Sequence, residues 1–174
     1  MRGLGDACRA LRAPIVGGNV SLYNEGADGP IYPTPVVGLV GELPDARRSG
    51  RLGFVTEGDA IALVTAGWAP SLAASELSKL RGEAVAGPLP AVDLGELKVL
   101  HAAIRQAVRS GALRSVHDVA EGGLLVAVAE SCLAGGVGAS LDLGASDAPM
   151  ARLFGEGPGG FVAVSYTHLT LPTN

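Results

Sequence analysis

The run "PIVGGNVSLYNE", residues 14 to 25, drives an apolar segment into two glycines and then into a mostly polar stretch. Consecutive glycines such as Gly17 and Gly18 let backbone N–H groups approach an anion without a Cβ in the way. Asn19 offers a neutral oxygen to a hard cation such as Mg2+, which prefers oxygen ligands and shares its shell with water and phosphate. Ser21 lies two residues further, on the same face if the backbone is extended, and Glu25 closes the stretch. The alternative is a Gly-Asn hairpin turn with a polar rim.

A second candidate runs from Ser115 to Glu130, "SVHDVAEGGLLVAVAE". A strand leads into His117, Asp118 and Glu121, and then Gly122 and Gly123 open a helix. Free N–H groups and the positive end of a helix dipole attract anions, while the acids suit a bridged cation or a ribose hydroxyl. Equally, Asp118 or Glu121 caps the helix and His117 is hydrogen-bonded at a strand end. A third segment, "LFGEGPGGFVAV", places Glu156 in a glycine turn that is either an anion site or a plain helix-to-strand connection. His101 and Trp68 read as structural.

These segments need elements to hold them. Residues 6 to 12 read as helix, and residues 14 to 16, 20 to 22 and 33 to 43 as strands. "PDARRSGRLGF", polar and glycine-bearing, reads as the linker between two domains. Beyond it strands and helices alternate: a strand "AIALVTA", a helix "SLAASELSKL" capped by Ser71, and a helix starting at Asp93 and stopping at Gly111. Then come a strand "SVHDV", a helix "LLVAVAESCLA", a strand "ASLDL", a helix "DAPMARLF" and a strand "GGFVAVS". This pattern predicts an α/β (α+β) architecture, a partial β-rich domain followed by a helix-layered α/β domain.

Composition narrows the function class. The 174 residues hold 48% hydrophobic but only 4% aromatic residues, so the core must be close-packed Ala, Val and Leu. Net charge is −4 with no basic run, which argues against nucleic-acid binding. Mean hydropathy is +0.35, yet the apolar run from Ala60 to Ala74 falls short of the ~20 residues a spanning helix needs. Cys8 and Cys132 form neither a disulfide framework nor a zinc site, which fits a reducing, cytoplasmic setting.

The order and spacing of "GGNVSLYNE", "PTPVVGLVGEL", "SVHDVAEGGL" and "LFGEGPGGFVAVS" resemble the synthetase (large) subunit of phosphoribosylformylglycinamidine synthase, in its second half. The resemblance covers nearly everything from residue 5 to about residue 165. It implies domains like those of aminoimidazole ribonucleotide synthetase. Residues 1–57 would be the last part of a β-rich domain, 58–164 a truncated α/β domain, and 165–174 a non-native tail, judged from its abrupt Thr-rich composition.

By motif, the resemblance implies Gly18 as an ATP contact, Asn19 as a magnesium ligand and Ser21 as a substrate contact. Gly17, Glu25, His117, Asp118, Glu121, Gly122, Gly123 and Glu156 are further candidates. The implied reaction is an ATP-dependent ligation: formylglycinamide ribonucleotide and ammonia give the amidine, ADP and phosphate. Implied partners are a glutaminase subunit, a small bridging subunit and the first half of the same chain, which would carry the family's catalytic histidine. The fragment alone is then expected to be inactive. Two alternatives stand beside it: a non-catalytic nucleotide-binding or structural half, and another aminoimidazole-ribonucleotide-synthetase-like ATP-dependent enzyme. Gly160 stands where the family often carries Arg, which weakens the third segment as a phosphate site.

Overall fold

The computed structural model describes residues 2–32, 34–83, 89–144 and 147–165. The chain forms two compact units that part between Ala46 and Arg47.

In the first unit, helix α1 (Arg2–Leu11) is followed by a long irregular segment interrupted by a small hairpin, β1 (Glu25–Gly26) against β2 (Gly29–Pro30). The strands predicted for residues 14–16, 20–22 and 34–43 are not formed; Pro33 and the tail 166–174 lie outside the described residues. A strand exists only through its ladder partner, and among the described residues nothing pairs with these runs. Their apolar side chains are accordingly exposed, Val16 at 95% and Val40 at 97%.

The second unit is built on a three-stranded antiparallel sheet of order β3 (Ile61–Thr65), β5 (Gly160–Ser165), β4 (Leu113–Asp118). Central β5 buries Val162, Ala163 and Val164 in succession, which is why it reads as an unbroken apolar run rather than an alternation. Between β3 and β4 run helices α2 (Glu76–Leu80) and α3 (Leu94–Ser110); between β4 and β5 run α4 (Gly123–Gly135) and α5 (Pro149–Phe154). Helix α4 turns Leu124, Ala127, Val128 and Ser131 inward at helical spacing, against Phe54, Val162 and Val164.

Helix α3 has the ends its sequence predicts. Asp93 accepts from the N–H groups of Gly95 and Glu96, and Gly111 closes the helix at φ 76°. Helix α2 differs. Its cap is Ser75, whose hydroxyl accepts from Ser78 N–H, whereas Ser71 pairs through its backbone with Glu156. The run 139–143 is not a strand: Leu141 and Leu143 pack on the core and Asp142 turns back to accept from Gly144 N–H.

The polar segment 44–54 contains a 3-10 turn, Ala46–Arg48, and its end is tied into the second unit. Val116 N–H donates to the Arg51 carbonyl at 2.9 Å, and Phe54 N–H to the Ser131 carbonyl at 3.0 Å. Gly53 and Gly135 permit this approach, since a Cβ on either would run into the facing backbone.

Candidate functional site

The glycine turn of the first unit is exposed throughout residues 17 to 25. Asn19 Nδ2 donates to Ser21 Oγ at 3.3 Å, so the two side chains predicted to share a face do meet. Asn24 Nδ2 fixes the Ser21 carbonyl at 3.0 Å. The Asn19–Ser21 bond uses the amide nitrogen and not the amide oxygen. Gly17 and Gly18 have no positive φ, and a Cβ on either would meet nothing within 4 Å, so neither local strain nor crowding demands glycine there. The hairpin turn lies further on, at Gly26 to Gly29, with Glu25 in its first strand.

One neutral oxygen cannot hold Mg2+ by itself. Among the described residues no group of three or more His, Cys, Asp and Glu side chains is placed to bind a metal. A cation here would have to be held chiefly by phosphates and water, with Asn19 supplying at most one oxygen.

The other candidates fall in the second unit, and the fold joins two of them. Glu156 Oε1 accepts from Gly122 N–H at 2.9 Å and from Glu76 N–H at 2.7 Å. One carboxylate thus serves the first residue of α2 and the cap of α4, supplying negative charge where both helix dipoles favour it. Gly122 and Gly123 are required by geometry: φ is 79° and 76°, and a Cβ on Gly123 would meet the backbone of Phe154 and Gly155. The N–H of Gly122, which a phosphate would use, is taken from within.

His117 is held between two carboxylates. Its Nε2 lies 2.7 Å from Glu130 Oε2 and its Nδ1 3.2 Å from Asp118 Oδ1, so the side chain links β4 to α4. Asp118 and Glu121 are themselves exposed. Sequence reasoning passed over Glu130; its only signal is that it is the sole charged residue in an otherwise apolar helix. The turn after Glu156 is closed by packing. Gly160 lies under the Trp68 indole, and Gly159, at φ 100°, lies against the Ala66 carbonyl. It is a helix-to-strand connection. His101 stacks edge-on against Phe161 with centroids 5.8 Å apart.

A sheet backed by helices, with glycine turns carrying its connections, defines the class. The chain belongs to the AIR synthase related protein family, C-terminal domain, which it matches over residues 56–166. It is similar to the phosphoribosylformylglycinamidine synthase subunit PurL of Moorella thermoacetica, 46% identical over 154 residues, covering 88% of this chain and 21% of the relative. To the PurL subunit of a Synechococcus species it is 48% identical over 162 residues, covering 90% and 21%. The chain spans about a fifth of the length of these relatives. Among solved structures it is similar in fold to T. maritima PurL complexed with FGAR, with TM-score 0.53 and 18% identity, over 70% of this chain and 22% of that one. Among the described residues no helix is long and apolar enough to cross a membrane.

Proposed function

We propose that this chain is a segment of a phosphoribosylformylglycinamidine synthase synthetase subunit, acting in the ATP-dependent conversion of formylglycinamide ribonucleotide to its amidine. The observation that carries this reading is 46% identity to a PurL subunit across 88% of the chain. In such a reaction the substrate amide oxygen takes a phosphoryl group from ATP, and ammonia then displaces phosphate at the same carbon. Mg2+ would spread the charge of the transferring phosphates.

Within that scheme the first unit carries the chain's own contribution. Backbone N–H at Gly18 would meet the nucleotide, Asn19 Oδ1 the cation and Ser21 Oγ the substrate. Asn19 Nδ2 holding Ser21 Oγ keeps the two contacts in fixed relation. Ammonia would come from a glutaminase subunit, docked with a small bridging subunit and with the remainder of the synthetase chain, in the cytoplasm.

A second reading has a specific observation in its favour. Glu156 already provides the anion at the Gly122 N–H, so the second unit is suited to structural support rather than to phosphate transfer. The test is turnover of the full-length subunit with ATP, ammonia and formylglycinamide ribonucleotide. Asn19→Ala is expected to abolish measurable amidine formation, and the 174-residue chain alone to produce none. Unchanged turnover in Asn19→Ala would leave the structural reading; turnover by the isolated chain would overturn the proposal that it acts only as a segment.

A further inference from the structure

We propose that the second unit carries a binding site for a small phosphorylated anion, separate from the Gly17–Ser21 turn, in a cavity of about 470 Å3 where Arg47, Arg48, Arg51, Arg109 and Arg114 converge beside Ser110. The chain has 13 Lys and Arg residues and a net charge of −4. Gathering five of those cations around one hollow runs against the overall balance. Among the described residues lining the hollow there is no carboxylate.

The cations come from separate places in the sequence, and the fold brings them together. Arg47 and Arg48 end the 3-10 turn, Arg109 lies in the last turn of α3, and Arg114 lies near the start of β4. Arg51 is drawn in by the bond from Val116 N–H to its carbonyl. Part of the cluster is anchored: Arg48 Nη1 donates to the Arg109 carbonyl at 3.0 Å, and Arg114 Nη1 to Thr56 Oγ1 at 3.1 Å. Arg114 Nε lies 3.3 Å from Asp59 Oδ2, a carboxylate only 6% exposed. These anchors hold guanidinium groups in place at the hollow instead of leaving them to spread into solvent.

A helix C-terminus is by itself a poor place for an anion. Here three of its last four carbonyls already have donors. Ala107 accepts from Ala112 N–H and Ser110 Oγ, Val108 from Gly111 N–H, and Arg109 from Arg48. Interaction with the helix end accounts for Arg48 and Arg109 but leaves the gathering of Arg51 beside them unexplained. Asp59 offsets Arg114, while Arg51 and Arg109 add positive charge at the same hollow, which a bound dianion would complement.

The chemistry selects phosphate. Every cation at the hollow is arginine, whose planar fork matches phosphate oxygens two at a time. The volume lies in the range of small-ligand pockets, roughly 300–1,000 Å3. An acidic polypeptide would need an extended row of cations rather than a single hollow.

The test titrates pyrophosphate into the chain by calorimetry at low and at raised salt. One saturable, salt-sensitive site is expected, weakened about tenfold or more in Arg51→Gln/Arg109→Gln. Affinity should be unchanged in Asn19→Ala and in a control, Arg2→Gln/Arg9→Gln, which alters charge equally on α1. Should the double variant fail to fold, Arg51→Gln alone, an exposed side chain outside every helix and strand, gives the same readout. Absence of saturable binding would overturn the site. So would loss in Asn19→Ala with the arginine variant unaffected, which would place the phosphate at the first unit's turn. Triglutamate binding as tightly as pyrophosphate would overturn the ligand class.

Discussion

The Glu156 carboxylate accepts from Gly122 N–H at 2.9 Å, joining two glycine turns that lie 34 residues apart in sequence. The same oxygen accepts from Glu76 N–H, so a single side chain ties β5's entry to the starts of α2 and α4. Removing it leaves two helix-terminal donors without their charged acceptor. Glu156→Ala is expected to cost about 1.5–3 kcal/mol, and Glu156→Gln, which keeps an acceptor oxygen, about half that. Urea denaturation checks both; an alanine variant within about 0.5 kcal/mol of the parent would show that water replaces the carboxylate.

Helix α3 should respond at each end separately. Asp93→Ala removes the acceptor for Gly95 and Glu96 N–H and is expected to cost about 1 kcal/mol. Gly111→Ala forces a Cβ into a left-handed backbone at φ 76°, costing roughly 1–2 kcal/mol. The sites lie at opposite ends of the helix, so the double variant should be additive in chemical denaturation. Strong non-additivity would contradict independent caps.

Ala74 sits at φ 59°, a left-handed conformation that is unfavourable for an L side chain, directly before the Ser75 cap. Ala74→Gly should therefore raise stability by up to about 1 kcal/mol despite glycine's greater freedom when unfolded. A fall in melting temperature for this variant would contradict the strain.

Gly135 meets the Phe54 backbone so closely that a Cβ has no room. Gly135→Ala should push segment 53–54 off α4 and break the bond from Phe54 N–H to the Ser131 carbonyl, at a cost of about 1–3 kcal/mol or more. Gly138→Ala, where a Cβ meets nothing within 4 Å, is the matched control and should lie within about 0.5 kcal/mol of the parent. Equal thermal stability of the two variants would contradict the close packing.

What could be read from the sequence was what local chemistry dictates. Asp93 and Gly111 mark α3 because caps act within a turn of the residues they serve, and β5 shows as an apolar run because it is central. Ser71 and Ser75 are chemically alike as caps; the choice between them came from Glu156, 85 residues away from Ser71, taking the Ser71 backbone. The contacts of Glu130 and Glu156 depend on tertiary approach and leave no periodic trace. Residues 34–43 have the composition of a strand, but composition cannot supply a ladder partner.

For the candidate site, the spacing of Asn19 and Ser21 was legible, and their side chains meet. The arginine hollow was not: Arg47, Arg51, Arg109 and Arg114 form no run in the sequence, and only the packing of residues 47–54 onto α3 and β4 gathers them.

The most direct measurement is the Mg2+ dependence of ATP binding to the full-length subunit, by calorimetry, with and without Asn19→Ala. Loss of an oxygen ligand should raise the Mg2+ concentration needed for tight ATP binding by about tenfold or more, while metal-free nucleotide binding stays unchanged. Superimposable Mg2+ titrations for the parent and Asn19→Ala would contradict a metal-binding role for the Gly17–Ser21 turn.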